Sequence, residues 1–266
     1  MTLERVEETA SGLVWYRFSR PDSPEHEPGL HHAMVTRLGG ISAGPFAALN
    51  LGGTVGDASR AVEENHRRLF AALGLAPQQV VSPHQVHGTH VAVVKTEDGG
   101  STIPGSDALI TDQPGLALLL RFADCVPVLL YDPVHHTAGL AHAGWRGIAA
   151  GVVPATISAL TEHFGALPED LWAGIGPAIG PDHYQVGEEV VAAVTAALPT
   201  GTPVATTRGG RHYLDLPGAV CAQLRQLGVE TVSNANMCTA CHTDEWYSHR
   251  AENGKTGRFG VLAMLT

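Results

Sequence analysis

The sequence lacks the long apolar segments, the paired cysteines and the excess of positive charge that mark several large classes of protein. No apolar run approaches the roughly 20 residues that a membrane-spanning helix needs, so we expect no membrane partner. Residues 1–8 are acidic and contain no apolar stretch of the kind that a secretory signal peptide carries. Four cysteines in 266 residues are too few for a disulfide scaffold. These absences together predict a cytoplasmic protein.

Basic residues are outnumbered, with 16 Lys and Arg against 26 Asp and Glu and a net charge of −10. A nucleic-acid-binding protein needs a basic surface for the phosphate backbone, so we expect no nucleic-acid partner. A small anionic substrate remains compatible with the charge, because it needs only one or two local cations. Charged residues are also few, at 16%, while 44% of residues are hydrophobic, which favours a folded core over disorder.

Apolar periodicity predicts helices and strands mixed along the whole chain. The predicted helices are 60–73, 147–164, 187–198 and 215–227, and the predicted strands are 79–82, 90–95, 107–111, 116–121, 126–131, 137–142, 171–175 and 258–265. The uniformly apolar run 116–120 is typical of a strand buried on both faces. Residues 21–28 are rich in proline and predict a surface loop. We therefore expect one layered α/β or α+β domain over residues 1–266, as a monomer or homodimer.

A cysteine and a histidine lie at equivalent ends of two neighbouring predicted strands. Residues 126–131 and 137–141 are apolar and are separated by a short turn, which predicts an antiparallel hairpin. A hairpin closed between Tyr131 and His136 would place Cys125 directly opposite His142. Opposed residues share a face, with their β-carbons about 4.5–5.5 Å apart. A thiolate beside an imidazole is a donor pair that suits zinc.

The cluster His84, His87 and His90 offers a third ligand, although spacing alone does not select among its members. Two His and one Cys would leave one tetrahedral position open, which is the pattern of a catalytic zinc site rather than a structural one. Taken alone, a cysteine beside a strand is more often a small buried hydrophobic residue, and a histidine at a strand end is often only solvated.

The string Cys238-Thr239-Ala240-Cys241-His242 matches the attachment sequence of a c-type haem. Such attachment requires export, and the sequence shows no export signal. There is also no second cysteine pair from which to build a zinc ribbon. The string therefore predicts a loop with two free thiols, or else a labile disulfide.

A second loop carries an arginine followed by two glycines, in Thr36-Arg37-Leu38-Gly39-Gly40. Exposed backbone N–H groups beside a guanidinium can hold a phosphate or another oxyanion. Tyr247-Ser248-His249-Arg250 supplies further aromatic and cationic groups near the C-terminus. Neither segment is specific by itself.

Taken together, the chain resembles the YfiH-like family, described as polyphenol oxidase, laccase-domain or DUF152 proteins and also as purine nucleoside phosphorylases. The resemblance runs from about residue 36 to residue 265. The matching segments are Thr36-Arg37-Leu38-Gly39-Gly40-Ile41-Ser42, Leu49-Asn50-Leu51-Gly52, Val62-Glu63-Glu64-Asn65, Gln85-Val86-His87-Gly88, Asp107-Ala108-Leu109, Ala123-Asp124-Cys125-Val126-Pro127-Val128, His142-Ala143-Gly144-Trp145-Arg146-Gly147, Gly176-Pro177-Ala178-Ile179-Gly180 and Tyr247-Ser248-His249-Arg250.

The resemblance implies a metal site and a set of substrate contacts. It implies that His87, Cys125 and His142 bind zinc, with Cys125 also counted among the catalytic residues. It further implies that Arg37 and Arg250 act in catalysis and contact substrate or phosphate, and that Asn50 and Gln85 lie near the pocket. The implied fold is an α/β sandwich with a mixed central sheet, the YfiH-like fold shared with a group of cysteine hydrolases. The family more often has a second arginine where this chain has Ala251, so its substrate preference is less firmly implied than its metal.

The function that the resemblance implies is zinc-dependent processing of purine nucleosides. The reactions are phosphorolysis of adenosine, inosine or methylthioadenosine, and deamination of adenosine, in which zinc would activate a water molecule. Arg37, Arg250 and the Gly39-Gly40 backbone are suitable phosphate anchors. The alternative is a copper-dependent polyphenol oxidase, since two His and one Cys also resemble a blue-copper centre. The sequence has no His-x-His pair of the kind typical of multicopper oxidases.

Overall fold

The computed structural model describes residues 2–19 and 29–266, so the predicted loop 21–28 lies outside the described residues. Within these residues the strands are β1 (Thr2–Glu8), β2 (Leu13–Ser19), β3 (Leu30–Val35), β4 (Val80–Pro83), β5 (Val91–Val93), β6 (Thr102–Ile103), β7 (Ala108–Thr111), β8 (Ala117–Phe122), β9 (Val126–Asp132), β10 (Thr137–Ala143), β11 (Trp172–Ile175), β12 (Gln185–Val186), β13 (Ala205–Arg208), β14 (Arg211–Leu214), β15 (Thr231–Asn234) and β16 (Phe259–Leu265). The α-helices are α1 (Ser59–Ala72), α2 (Trp145–Ala150), α3 (Val152–Phe164), α4 (Glu188–Ala196) and α5 (Leu216–Gln226). None of these helices combines the length and the apolar character needed to cross a bilayer.

Two mixed sheets are stacked face to face. One has the strand order β1-β2-β3-β16-β8-β4-β6, and the other has the order β15-β11-β9-β10-β7-β5. A small third sheet, β12-β14-β13, lies beside them. Both large sheets combine antiparallel pairs with parallel ones, such as β4 with β8 and β11 with β15. The predicted layered α+β fold is confirmed, with its strands divided between two sheets.

Apolar side chains fill three successive layers of core. Leu120, Leu129 and Leu140 belong to the layer between the two sheets. The outer face of the six-stranded sheet is covered by α2–α5, and the outer face of the seven-stranded sheet is covered by α1. Because β8, β9 and β10 are covered on both faces, their sequences are apolar throughout rather than alternating. The prediction that residues 116–120 are buried on both faces is confirmed.

The helix predicted over 147–164 is two helices, α2 and α3. Gly151 separates them with φ of 92°, a left-handed conformation that glycine adopts without steric cost. The other three predicted helices agree with the structure to within a residue or two. The strands β1–β3 were not predicted. The sequence of β1 is mostly polar, and its side chains are exposed or half-buried, so it carries no apolar pattern.

The pairing predicted for the β9–β10 hairpin is wrong by two residues. Asp132 pairs with Thr137, and His142 lies opposite Pro127 rather than Cys125. The turn begins one residue later than expected, because the Asp132 carboxylate accepts the backbone N–H of Val134 and of the next residue. A two-residue shift preserves the face of every side chain, so Cys125 and His142 still lie on one side of the hairpin.

Antiparallel pairing gathers many strand ends at one end of the two sheets. β8 and β10 end there, and their antiparallel neighbours β16, β9 and β7 begin there. β3 and β4 also end there, because β3 is antiparallel to β16 and β4 is parallel to β8. The loops at this end therefore carry segments that are distant in sequence, and the predicted site residues lie on them.

Replacing Leu140 with alanine tests the layer between the sheets. Leu140 is fully buried, so Leu140→Ala is expected to lower the free energy of unfolding by about 2–5 kcal/mol. Val134→Ala is the control, since Val134 is 66% exposed, and a change within about 0.5 kcal/mol is expected. Urea denaturation of both variants makes the comparison. Equal, small losses would contradict a packed layer at Leu140.

Candidate metal centre

Three donor side chains converge at this end of the sheets. His87 lies in the loop after β4, Cys125 directly precedes β9, and His142 lies near the end of β10. Their nitrogen and sulfur ligand atoms all lie within 4.8 Å of one another. His142 is buried, Cys125 is half-buried and His87 is exposed, so the cluster has one side open to solvent.

A buried carboxylate, Asp107, holds two of the three donors in place. It accepts the backbone N–H groups of Val86 at 3.1 Å, His87 at 2.9 Å and Gly88 at 2.7 Å. It also lies 2.8 Å from Nδ1 of His142. Because Nδ1 of His142 is engaged in this way, Nε2 is left to bind a metal. In zinc sites, a carboxylate commonly accepts a hydrogen bond from the ring nitrogen of a ligating histidine that does not bind the metal.

The donor set fits a soft or borderline cation such as zinc or copper. The backbone also leaves no space at the cluster for one further carbon atom. A β-carbon added at Gly144 would lie 2.9 Å from Sγ of Cys125 and 3.2 Å from Cδ2 of His87. Gly144 therefore lets the chain pass directly beneath two of the donors.

Cys125 and His142 stabilise each other as an ion pair. Burial opposes ionisation of Cys125, but the charge and hydrogen bonds of His142 and His87 outweigh it and lower the Cys125 pKa to about 6. Burial likewise disfavours the imidazolium form of His142, but Cys125 and Asp107 outweigh it and raise the His142 pKa to about 9. A thiolate is therefore available at neutral pH, which is the form that binds a metal.

Asp124, next to Cys125, fixes the surrounding loops rather than facing the donors. Its Oδ1 accepts the hydroxyl groups of Thr239 at 2.7 Å and Ser248 at 2.6 Å. Its Oδ2 accepts the backbone N–H of Arg250 at 2.7 Å. Its carbonyl oxygen accepts the N–H of Ile179, so Asp124 ties the loop after β11 and the long segment between β15 and β16 to the cysteine beside it.

Arg250 lies on one of those loops, and its guanidinium is stacked over the ring of Tyr184 at 4.9 Å from the ring centre. Burial raises the pKa of Tyr184 to about 12, helped by the nearby charge of Cys125, so its hydroxyl stays protonated at neutral pH. The charges of Arg250 and Arg146 also act on Tyr184. Tyr184 therefore lies within electrostatic range of both Cys125 and two arginines.

Arg37 is held by partners that do not include the metal-donor residues. Its Nε donates to the carbonyl oxygen of Ala47 at 2.6 Å, and its Nη1 contacts Thr243 and Glu252. Its guanidinium also lies 4.3 Å from the ring centre of Tyr247. Arg37 thus joins the loop after β3 to the segment that carries Arg250.

Asn50 and Gln85 both hold backbone segments near the cluster. Asn50 is fully buried, and its Oδ1 accepts the N–H groups of Gly52 and Arg258, each at 2.9 Å. Gln85 pairs its amide with the backbone of Arg121, donating to the carbonyl oxygen and accepting from the N–H. Asn50 therefore positions Arg258 at the start of β16, and Gln85 anchors the loop that carries His87.

Sequence reasoning gave no role to Asp107, Tyr184 or Gly144. Asp107 was part of a matched segment and stood at the start of a predicted apolar strand, but neither observation indicated what it would contact. Tyr184 lies in a loop and carries no local pattern at all. Gly144 was part of a matched segment, but its steric role depends on two side chains that are distant in sequence.

Comparison with known proteins is consistent with this arrangement. A family model described as multi-copper polyphenol oxidoreductase laccase matches residues 31–266. Purine nucleoside phosphorylase SCO2081 of Streptomyces coelicolor is 44% identical over 237 residues, covering 89% of this chain and 96% of the relative. Purine nucleoside phosphorylase YlmD of Geobacillus stearothermophilus is 38% identical over 262 residues, covering 94% and 93%.

Solved structures share the fold. The crystal structure of YlmD from Geobacillus stearothermophilus superimposes with a TM-score of 0.89 at 36% identity, covering 94% of this chain and 96% of that one. The crystal structure of YfiH from Bacillus licheniformis gives 0.85 at 32% identity, covering 89% and 93%. At this identity and coverage, the shared fold includes both large sheets as well as the loops of the metal centre.

Gly144→Ala tests the steric requirement at the cluster. The added methyl group would displace Sγ of Cys125 or the ring of His87, so we expect zinc affinity to fall about tenfold or more. Competition with a chromophoric chelator measures the affinity. Gly53→Ala is the matched control, since nothing lies within 4 Å of a β-carbon there. Unchanged affinity in Gly144→Ala would contradict metal binding by these donors.

The ion pair predicts the pH at which the thiol of the metal-stripped protein ionises. The difference in thiolate absorbance near 240 nm between the native protein and Cys125→Ala should be half developed near pH 6. In His142→Ala the midpoint should move upward, because the cation that outweighs burial is gone. A midpoint in the native protein near the ordinary thiol value of about 8.5 would contradict the pairing.

Proposed function

The chain belongs to the family described as multi-copper polyphenol oxidoreductase laccase, and we propose that within this family it is a zinc-dependent purine nucleoside phosphorylase, carried by one domain over residues 1–266. The observation that carries the proposal is the match over nearly the whole chain to relatives named purine nucleoside phosphorylase. The substrates we propose are adenosine, inosine and methylthioadenosine, together with inorganic phosphate.

The donor cluster supports a catalytic rather than a purely structural metal. Three protein donors leave one tetrahedral position open, and the exposed donor His87 lies on the solvent side. Zinc bound by His87, Cys125 and His142 would supply a Lewis acid at the edge of the substrate pocket. Asp107 fixes the orientation of His142 and the loop of His87, so the chain holds the donors in place before a substrate arrives.

Phosphorolysis breaks the bond between the purine base and the ribose, and phosphate takes the place of the base. The developing positive charge on the ribose and the charge of the phosphate both need partners at the site. We propose that Arg250, on the wall of the cluster, holds the phosphate, and that Tyr184 orients the guanidinium stacked on its ring. We propose that Arg37 also binds the phosphate. Its contacts with Thr243 and Glu252 connect the loop after β3 to the segment that carries Arg250.

Asn50 and Gln85 complete the proposed pocket. Both hold the backbone of basic residues, Arg258 and Arg121 respectively. Arg258 is close enough to Cys125 and Asp124 for their charges to act on it. A basic residue near the donors supports binding of an anion, although the protein as a whole carries a net charge of −10.

Deamination of adenosine at the same site is a second proposed activity. It replaces the amino group at C6 of the base with oxygen from water, and it requires no phosphate. The open coordination position and the solvent-facing side of the cluster favour it. The two reactions give different products from adenosine, so one assay separates them.

Copper-dependent phenol oxidation is the activity that the family description names. The described residues contain two groups of three His or Cys donors, and neither resembles a cluster of many histidines that binds several coppers. A single copper on His87, Cys125 and His142 would resemble an electron-transfer centre. We therefore propose copper-dependent phenol oxidation only as the alternative to the nucleoside reactions.

The proposal is tested by mass spectrometry of products after zinc-loaded protein is incubated with adenosine, inosine or methylthioadenosine, with and without phosphate. The expected result is phosphate-dependent release of the free base, with ribose 1-phosphate from adenosine or inosine and 5-methylthioribose 1-phosphate from methylthioadenosine. Some inosine should also form from adenosine. No turnover of any substrate by protein with confirmed metal content would overturn the proposal. Oxidation of a phenol by the copper-loaded protein in that case would favour the alternative.

The same assay applied to single-residue variants tests the proposed roles of Arg250 and Cys125. Arg250→Ala is expected to raise the KM for phosphate by roughly 10- to 100-fold, as the loss of a charged hydrogen bond implies. Cys125→Ala should abolish turnover, while Cys221→Ala, on helix α5 away from both donor clusters, is the matched control and should retain it. An unchanged KM for phosphate in Arg250→Ala would remove the phosphate role from that residue.

A further inference from the structure

A second group of soft donors lies outside the site described above. It consists of His183, in the loop between β11 and β12, and of Cys238 and Cys241, in the loop after β15. Sγ of Cys238 lies 3.8 Å from Nδ1 of His183, and Sγ of Cys241 lies 3.6 Å from the same nitrogen. All three donor atoms lie within 4.8 Å of one another, and both cysteines are free thiols.

These spacings match a tetrahedral zinc site. Zn–S bonds of about 2.3 Å and a Zn–N bond of about 2.0–2.1 Å, at the tetrahedral angle, put sulfur and nitrogen about 3.6 Å apart. The same bonds put two sulfur atoms about 3.8 Å apart. The two sulfur–nitrogen distances, 3.6 and 3.8 Å, are therefore close to the value that a shared metal would impose.

The backbone also holds the sulfur of Cys238 beside the histidine. The N–H of Gly180 points at Sγ of Cys238, with the nitrogen 3.1 Å from the sulfur. The carbonyl oxygen of Gly180 accepts the N–H of His183, so one tight turn presents both a donor to the sulfur and the imidazole beside it.

The histidine of this group is not the one that the local sequence indicates. In the string Cys238-Thr239-Ala240-Cys241-His242, the adjacent His242 completes the haem-like pattern, but it is not among the clustered donors. The backbone N–H of His242 instead donates to the carbonyl oxygen of Cys238. The third donor comes from His183, 55 residues away from Cys238 in the sequence.

We propose that His183, Cys238 and Cys241 form a second binding site for zinc or a similarly thiophilic divalent cation. Binding displaces the two thiol protons, and a water molecule completes the coordination on the exposed side. The site is independent of the proposed enzymatic function. It joins the loop that carries Tyr184 to the loop that carries Thr239, which Asp124 holds. The bound cation would therefore restrict the movement of these two loops next to the first metal centre.

Metal content tests the proposal directly. Full-length protein is loaded with zinc in the presence of a phosphine reductant, freed of excess metal by gel filtration and analysed by elemental mass spectrometry. We expect about two zinc ions per chain in the native protein and about one in Cys238→Ser/Cys241→Ser. His183→Ala should also lose one, while the matched control His242→Ala should keep both.

Cobalt substitution gives a readout that does not depend on activity. In Cys125→Ala, whose first centre has lost its thiolate, cobalt should still produce thiolate-to-cobalt absorption in the near ultraviolet. That absorption should disappear when Cys238→Ser and Cys241→Ser are added. If the triple variant does not fold, the cobalt spectrum of Cys238→Ser/Cys241→Ser, with Cys125 intact, is compared with that of the native protein. The thiolate-to-cobalt absorption should then be weaker in the double variant.

Two results would overturn the proposal. One is a metal content that is the same in the native protein and in Cys238→Ser/Cys241→Ser. The other is a disulfide between Cys238 and Cys241 that persists in the reductant, seen as a mass two units below that of the reduced chain. Loss of nucleoside turnover by itself would bear on the first centre, not on this one.

Discussion

The carboxylate of Asp107 is the constraint on which the metal centre depends. It is fully buried, and it is tolerated there because three backbone N–H groups and the ring of His142 satisfy it. Burial alone would raise its pKa, but these hydrogen bonds outweigh burial and keep the pKa below its ordinary value. The carboxylate thus remains charged and joins the start of β7 to the loop of His87 and to the end of β10.

A second carboxylate, Asp124, fixes the segments that surround the metal centre. Its contacts with Thr239, Ser248 and Arg250 hold against Cys125 the segment between β15 and β16, which carries two donors of the second cluster and the proposed phosphate ligand. The two donor clusters and the cationic wall therefore share their supporting loops. In a protein whose net charge is −10, this assembly brings arginine side chains close to the first donor cluster.

Much of the architecture was predictable from the sequence. The apolar runs that became β8, β9 and β10 were long and uniform, since strands covered on both faces have no polar side. The helices were predictable from their amphipathic spacing, except that Gly151 divides one of them. The strands β1–β3 and the hairpin register were not predictable in the same way. The edge strand β1 keeps polar side chains, and the register depends on a carboxylate that closes the turn at Asp132.

The sequence by itself determined the types of donor that are available and the layers that would bury them. It indicated Cys125 and His142 as neighbours, because a hairpin can bring together two residues at its open end. Spacing left His84, His87 and His90 equivalent, and the family resemblance implied His87. The tertiary structure places His87 with Cys125 and His142, where the Asp107 carboxylate accepts its backbone N–H. The tertiary structure likewise brought His183 to Cys238 and Cys241. Contacts between loops at the same end of two stacked sheets depend on strand order, and no local pattern in the chain encodes that order.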